Sequence, residues 1–327
     1  RVMLAEAQLQ RTLGDAAAAR SQGERALAAL EKINPRSTPV TTALALLGSL
    51  ALEEGDFTAA DRYRARALEI IRELAPESAG HALALAGLAE ARAPQDLAGA
   101  RSLYEQAVTL LEQRRPDSDE LALVSAQLAA ITHFQGKSAE VARSLEHAET
   151  LLKKTTHDSL VVAIAHRTVG RVIQHQGRPT DALPHYRRAL EIFKARRPDT
   201  LATASCLQKM ASAFAEDGDL KQARENFHAA LNLYNKQVPE ARATAHCASE
   251  LAFVYWRQAD LDEAKALLGQ VVRIVKQRDP MSPRLPILEA ALAAAAAGKD
   301  SRSPEAVNFH KVVGQWSVAL DRGEGWR

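Results

Sequence analysis

A period of about 41 residues runs through most of the sequence and limits what the chain can fold into. In every copy, alanine or valine stands five and twelve residues after a turn position, and in all copies but one a proline stands twenty-one residues after it. The turn positions hold Gly14, Gly55, Gln95, Gly136, Gly177, Gly218 and Ala259. Such a period indicates stacked repeats, because a short unit buries its apolar face only by covering it with the next unit.

Two amphipathic stretches flank the turn in each unit, which predicts a helix, a tight turn and a second helix. Around Gly218 the apolar residues at helical spacing are Leu207, Met210, Ala211 and Phe214 before the turn and Leu220, Ala223, Phe227, Ala230, Leu231 and Leu233 after it. Glycine suits the turn because it adopts a positive φ at little cost. Proline ends the second helix, since the residue before a proline is driven out of the α region. The alanines are predicted to lie where the helices approach most closely.

The spacing of the glycine, the alanines and one further apolar position resembles the tetratricopeptide repeat. That further position, eight or nine residues after the turn, holds Tyr63, Tyr104, Leu145, Tyr186, Phe227 and Leu268. The usual tetratricopeptide unit has about 34 residues. The longer unit here, with the segments ALEIIRELAP and ALEIFKARRPDTLATA, is similar to the extended repeats of the kinesin light chain family. HEAT and armadillo repeats share the period but do not explain the glycine and alanine spacing, and they form a minor alternative.

The resemblance covers residues 1–280 and implies an all-α, right-handed α-solenoid of about seven helix-turn-helix repeats. Residues 281–327 lose the repeat pattern and are predicted to form a pair of C-terminal capping helices and a tail. The first helix is predicted over 285–297, ending at Gly298, and Ser303 with Pro304 is predicted to start the second. The apolar face of this second helix holds Phe309, Val312, Val313, Trp316 and Leu320, and the tail covers 321–327.

Composition and motifs argue against an enzyme. Of the 327 residues, 46% are hydrophobic and 25% are charged, which is ample for a folded protein, and the formal net charge is +2. The sequence contains no P-loop, no HExxH, no GxSxG and no CxxC motif. We therefore expect no catalytic activity, no cofactor and no metal. The small net charge gives no reason to expect a nucleic acid as partner, and the absence of an 18-residue apolar run predicts no membrane insertion.

The cysteines Cys206 and Cys247 stand 41 residues apart and so occupy the same position in successive repeats. We interpret them as small core residues in a reducing compartment, which favours an intracellular, cytoplasmic protein. The sequence opens at Arg1 inside a helical pattern, and we interpret it as part of a longer chain.

The resemblance also implies a binding groove, since in the resembled family the first helices line a concave surface at fixed positions before the turn. Carried onto this chain, those positions hold Gln127, His133, Arg167, Arg171, Gln174, His175, Gln208, Lys209, Ser212, His246, Ser249, Glu250, Phe253, Trp256 and Arg257. The middle of this groove is polar and mostly cationic. Kinesin light chains carry paired asparagines where this chain has Arg167 and Thr168, which argues against a kinesin-cargo role.

Two functions fit this pattern. One is a non-enzymatic scaffold or adaptor that binds a protein or peptide segment in the groove. An acidic segment would neutralise Arg167, Arg171 and Lys209, and Phe253 with Trp256 would provide an apolar anchor. In a competing interpretation Trp256 packs under the C-terminal helices and the arginines are solvated. The other function is a sensor or regulatory domain of a larger signalling protein, because repeats of this length also resemble the sensor domain of bacterial maltose-type transcription regulators.

Overall fold

The computed structural model describes the backbone of residues 2–12 and 16–321. These described residues form sixteen α-helices and no strand, as the repeat pattern predicts. The helices are α1 (Val2–Thr12), α2 (Ala16–Ile33), α3 (Thr38–Glu54), α4 (Phe57–Leu74), α5 (Ala79–Arg92), α6 (Leu97–Arg114), α7 (Asp119–Phe134), α8 (Ser138–Lys154), α9 (Leu160–His175), α10 (Pro179–Arg196), α11 (Leu201–Asp217), α12 (Leu220–Gln237), α13 (Arg242–Arg257), α14 (Leu261–Arg278), α15 (Leu285–Ala296) and α16 (Pro304–Asp321). The turn predicted at Gly14 lies outside the described residues, as does the tail 322–327.

The chain divides into two compact units, Arg1–Val172 and Ile173–Arg327, with the division inside α9. Within each unit the helices pack in the order of a stacked repeat: the first helix of a hairpin contacts the second, and the second contacts the first helix of the next hairpin. First helices also contact one another, α1 with α3, α3 with α5, and α11 with α13. We call the side of a unit that these first helices form its first-helix face.

The glycines of the repeat end first helices in the left-handed conformation, as predicted. The φ angles are 78° at Gly55, 74° at Gly136, 78° at Gly177 and 94° at Gly218. At Gly55 this conformation turns the chain so that the amide of Asp56 donates to the carbonyl of Ala51 at 2.8 Å, which satisfies a carbonyl at the helix end.

The two turn positions without glycine behave differently from each other. Ala259 keeps the left-handed conformation with a φ of 66°, although a Cβ atom makes that region costly. Gln95 does not have a positive φ. There α5 ends at Arg92, and the amides of Gln95 and Asp96 both donate to the carbonyl of Arg92, at 2.9 and 2.8 Å. This is the copy in which the repeat is one residue shorter.

The prolines end the second helices by the predicted route. The residues before them leave the α region with nearly the same backbone angles, φ between −143° and −154° and ψ between 60° and 74°, at Ala75, Arg115, Arg197, Val238 and Asp279. The copy without a proline ends differently, since Thr155 has a φ of −74° and a ψ of 136°. The shared angles thus belong to the units with proline.

The small residues five and twelve positions after the turn are all buried, none more than 5% exposed. Ala230, for example, has no exposed surface on α12, whereas its neighbour Ala229 is exposed. Cys206 and Cys247 are also fully buried, and each thiol lies near the carbonyl oxygen of the residue nine positions after the preceding turn, at 3.4 Å from Tyr186 and 3.8 Å from Phe227. Their prediction as equivalent core residues is confirmed.

The C-terminal helices form where the sequence predicts them. Gly298 follows α15 with a φ of 73°, and Ser303 caps α16 by accepting the amide of Ala306 at 3.3 Å. The predicted apolar face of α16 is buried at Phe309, Val312, Val313 and Trp316, while the side chain of Leu320 lies outside the described residues. Helix α16 packs not only on α15 but also on α13, a first helix. A regular repeat would not make this second contact.

Replacing Ala259 by glycine should stabilise the protein by up to about 1 kcal/mol, because it removes the strain of a left-handed residue that carries a Cβ atom. Chemical denaturation measures this change. The matched control is Gln95→Gly, which places glycine at a turn position that is not left-handed and should be neutral or destabilising. Equal effects of the two substitutions would contradict the assigned turn conformations.

Replacing Ala230 by leucine should destabilise the protein by on the order of 1 to 3 kcal/mol, since the extra atoms overpack the contact between helices. Ala229→Leu makes the same change on the exposed side of α12 and should alter the unfolding free energy by less than about 0.5 kcal/mol. Thermal or chemical unfolding of both variants is the measurement. A wild-type transition for Ala230→Leu would refute the role of this position in close packing.

Candidate functional site

The predicted groove residues of the first unit lie on first helices and are half-buried. Gln127 and His133 are on α7, and Arg167 and Arg171 are on α9. Burial raises the pKa of the Tyr104 phenol above its ordinary range, and nearby Arg171 opposes that rise. The electrostatic influence of Arg171 thus reaches the buried Tyr104 phenol.

In the second unit, Gln174 joins two helices of the repeat. Its side-chain amide donates to Glu216 Oε1 at 2.7 Å, and its side-chain oxygen accepts the hydroxyl of Tyr186 at 2.7 Å. Desolvation raises the pKa of the Glu216 carboxyl, while the hydrogen bond from Gln174 and the nearby His175 oppose the rise. Gln174 is buried and its polar atoms are used within the protein.

A second polar cluster links α11 to α13. Glu250 accepts hydrogen bonds from Gln208 Nε2 at 2.5 Å and from Ser212 Oγ at 2.6 Å. His246 Nδ1 lies 2.7 Å from Gln208 Nε2 and 3.3 Å from the same carboxylate. Ser249 is fully buried and donates to a carbonyl of its own helix at 2.8 Å. These polar residues join adjacent first helices to each other, and Gln208 and His246 are themselves buried.

The chain's own C-terminal helix covers the end of the first-helix face in the second unit. Lys209 Nζ lies 3.4 Å from Ser317 Oγ, and the ring of His246 meets that of Trp316 edge-on at 5.6 Å. The ring of Phe253 stacks on a residue of α16, His310, at 4.0 Å. Three side chains predicted to bind a partner thus contact α16.

Trp256 packs under the C-terminal helices, as the competing interpretation of the sequence proposed. Its indole donates to the carbonyl of Lys299 at 2.8 Å, and its ring lies 6.1 Å from that of Phe309. Arg257 is exposed at the end of α13, where its guanidinium donates to the carbonyl of Ala215 at 2.9 Å. Burial and the neighbouring Arg257 lower the pKa of His310.

Arg64 lies on α4, reaches between α3 and α5, and is not among the residues predicted from the sequence. Its side chain is only 13% exposed. Nη2 donates to Ser49 Oγ at 2.8 Å and lies 3.9 Å from Glu90 Oε2. Glycines on both first helices make room for the guanidinium: a Cβ atom would come within 2.8 Å of Nε at Gly48 and within 2.7 Å of Nη1 at Gly87.

A signal in the sequence could have found this residue. Arg64 stands nine residues after its turn glycine, where the following repeats have Tyr104, Leu145, Tyr186, Phe227 and Leu268. A charge at a position that is aromatic or leucine in the five following repeats departs from the repeat pattern. Because Tyr63, eight residues after the turn, fits the apolar position of the pattern, the charged residue next to it was not recognised as a departure.

Comparison with known proteins identifies the repeat. A family model of the tetratricopeptide repeat matches residues 161–236 and 207–277, which lie in α9 to α14. A solved structure of kinesin light chain repeats from P. anserina, described as tetratricopeptide-like, has the same fold with a TM-score of 0.50, 19% identity, and coverage of 62% of this chain and 98% of that one. Residues 161–277 therefore match tetratricopeptide repeats, and the chain has the fold of a tetratricopeptide solenoid.

Two further solved structures share this fold. The Cut9–Hcn1 hetero-tetramer of the APC/C gives a TM-score of 0.60 at 17% identity, and the match covers 86% of this chain. This chain spans about half, 48%, of the length of that one. The apo form of the quorum sensor NprR from B. thuringiensis gives 0.58 at 14% identity over 97% of this chain and 86% of that one. At these identities the likeness concerns the fold alone. Among curated proteins, no sequence matches.

Two surface depressions, of about 380 and 340 Å³, are lined mainly by α6 and by α10 to α12, and neither includes a predicted groove residue. Within residues 2–12 and 16–321, no group of three or more histidine, cysteine or carboxylate side chains could hold a metal ion. None of the helices described there combines the length and apolarity required to cross a bilayer.

Replacing Trp316 by alanine should release α16 from α13, because truncating a buried aromatic residue costs about 3–5 kcal/mol and the loss falls on a helix at the end of the stack. Hydrogen exchange should show faster exchange in α16 while amides of α3 to α6 keep their protection. Gln315→Ala, at an exposed neighbouring position, is the matched control. Unchanged protection of α16 in Trp316→Ala would contradict this packing.

Proposed function

We propose that the protein is a non-enzymatic scaffold or adaptor that holds a segment of a partner protein on its first-helix face. The observation that carries this proposal is the position of α16. In the second unit this helix lies on a first helix, α13, and touches side chains from two of them, Lys209 on α11 and Phe253 on α13. The face therefore has the shape and chemistry to hold a helical segment of polypeptide.

The contacts of α16 indicate what a partner segment would need. Aromatic rings of the helix meet rings of the face, as Trp316 meets His246, and a polar side chain meets a cation, as Ser317 meets Lys209. Binding sites in which a few aromatic anchors are surrounded by polar contacts are typical of protein interfaces. We infer that partner binding uses the same combination.

In the first unit the half-buried polar side chains of Gln127, His133, Arg167 and Arg171 are the proposed contacts. Two of these four are arginines, which bind carboxylates through a planar fork of donors. An acidic partner segment would complement them, and charge complementarity would speed and orient its association. The acidic character of the partner is part of this proposal.

The second candidate function is a sensor or regulatory domain. The likeness to the quorum sensor NprR over 97% of this chain favours it, although at 14% identity that likeness concerns the fold. The Cut9–Hcn1 assembly equally illustrates a multi-protein complex built on this fold. We prefer the scaffold because neither surface depression involves the polar residues that the repeat pattern selects, whereas a polypeptide already occupies part of the first-helix face.

Reversing the charge of Arg171 tests the proposal. The partner is first identified by affinity capture on the wild-type protein, then purified and titrated into variants. Arg171→Glu should weaken binding by about 1–3 kcal/mol, with a strong dependence on salt, while the melting temperature stays near that of wild type. Arg143→Glu, an equal charge change at an exposed position on α8, should change binding by less than about 0.5 kcal/mol. Equal binding by the wild type and Arg171→Glu would show that the partner uses another surface.

A further inference from the structure

Arg64 occupies a packing position of the repeat where packing does not require a charge. The residues at the equivalent position in the following repeats are Tyr104, Leu145, Tyr186, Phe227 and Leu268, and all are buried. Removing a guanidinium from water is unfavourable unless its donors are satisfied. A leucine, as in two other repeats, would fill the position without that cost.

The protein satisfies this guanidinium only in part. An arginine carries five N–H donors. Nη2 donates to Ser49 Oγ, but among the described residues Nε has no acceptor within hydrogen-bond distance. The nearest carboxylate, Glu90, stands 3.9 Å from Nη2 and its side chain is 51% exposed, so it is a loose and largely solvated partner.

The charged neighbours of Arg64 act in opposite directions. Burial lowers the pKa of Arg64, the nearby carboxylate of Glu90 opposes that lowering, and Arg11, on α1, adds to it. Tyr104 lies within the influence of both Arg64 and Arg171. Arg11 has its own partner, since Nη2 lies 2.6 Å from Glu53 Oε1. Arg64 is therefore close to another arginine of the first unit, and its nearest carboxylate is a loose partner.

We propose that Arg64 is the centre of an oxyanion-binding site between α3 and α5, which receives a carboxylate or phosphate group of the ligand. The edge of the guanidinium that carries Nη1 and Nη2 donates to the two oxygens, and Ser49 holds the side chain in place. Gly48 and Gly87 keep the space in which the guanidinium lies. This proposal rests on the proposed function, because it names the chemical group of the partner segment that would bind at Arg64. Small anions test the site without a partner.

Nuclear magnetic resonance of the labelled full chain, titrated with sodium acetate and separately with sodium phosphate, provides the test. Ionic strength is kept constant with sodium chloride, and the amide signals of Ser49, Gly87 and Glu90 are followed. We expect shifts that saturate with at least one of the two anions. The anion whose chemical shifts saturate at the lower concentration is the one that the site prefers, carboxylate or phosphate.

Two variants and one control decide the role of Arg64. Arg64→Met keeps the length of the side chain and removes the donors, so the apparent affinity should fall at least about tenfold. Gly48→Ala retains the charge but places a Cβ atom within 2.8 Å of Arg64 Nε, and it should weaken binding too. Arg66→Met, on the same helix at an exposed residue paired with Glu31, should leave the affinity within about twofold of wild type.

The outcomes separate this site from the scaffold proposal. Shifts that grow linearly with both anions, or saturable shifts that persist in Arg64→Met, would overturn the oxyanion site. Because no partner is present in the titration, that result leaves the binding of a partner to the first-helix face open to its own test. If Arg64→Met does not fold, Gly48→Ala against Arg66→Met supplies the same comparison.

Discussion

The close approach of helices at the small residues of each hairpin is the contact on which the rest of the structure depends. Alanines such as Ala189 and Ala230 have no exposed surface, and their single methyl group lets the helix axes lie close together. In the five repeats from Tyr104 to Leu268, the side chain nine residues after the turn is buried. That of Tyr186 reaches a first helix, since its hydroxyl donates to Gln174 Oε1 at 2.7 Å.

The same period arranges the polar side chains of the second unit. Gln174 bonds to Glu216 and Gln208 bonds to Glu250, and both pairs are separated by 42 residues, one more than the repeat. A residue and its counterpart one repeat later lie side by side on adjacent helices, so a displacement of one residue brings an amide to a carboxylate. Such buried hydrogen bonds disfavour a shifted stacking of the helices, because the shift would leave polar groups unsatisfied.

Two departures from the repeat bear on the proposed binding. Helix α16 leaves the stacking order and lies on α13, where Phe253 and His310 stack at 4.0 Å. Helix α16 covers buried residues such as Trp256, whereas Arg64 has a guanidinium where the five following repeats have an aromatic ring or a leucine. The small residues of the repeat stabilise the fold, and partner binding is proposed at polar first-helix positions such as Arg171 and at Arg64.

The sequence by itself determined the helices and their ends, because the rules involved are local. Glycine permits a left-handed turn and proline excludes an α conformation before it, so Gly218 and Pro239 fix the bounds of α12 from within the segment. The tertiary structure alone decided where α16 packs, which side chains of the predicted groove are used internally, and how far Arg64 is neutralised. These depend on distances between residues far apart in sequence, such as the 108 positions that separate Lys209 from Ser317. A periodic pattern states which residues share a helix face, but only the packed helices show what lies against that face.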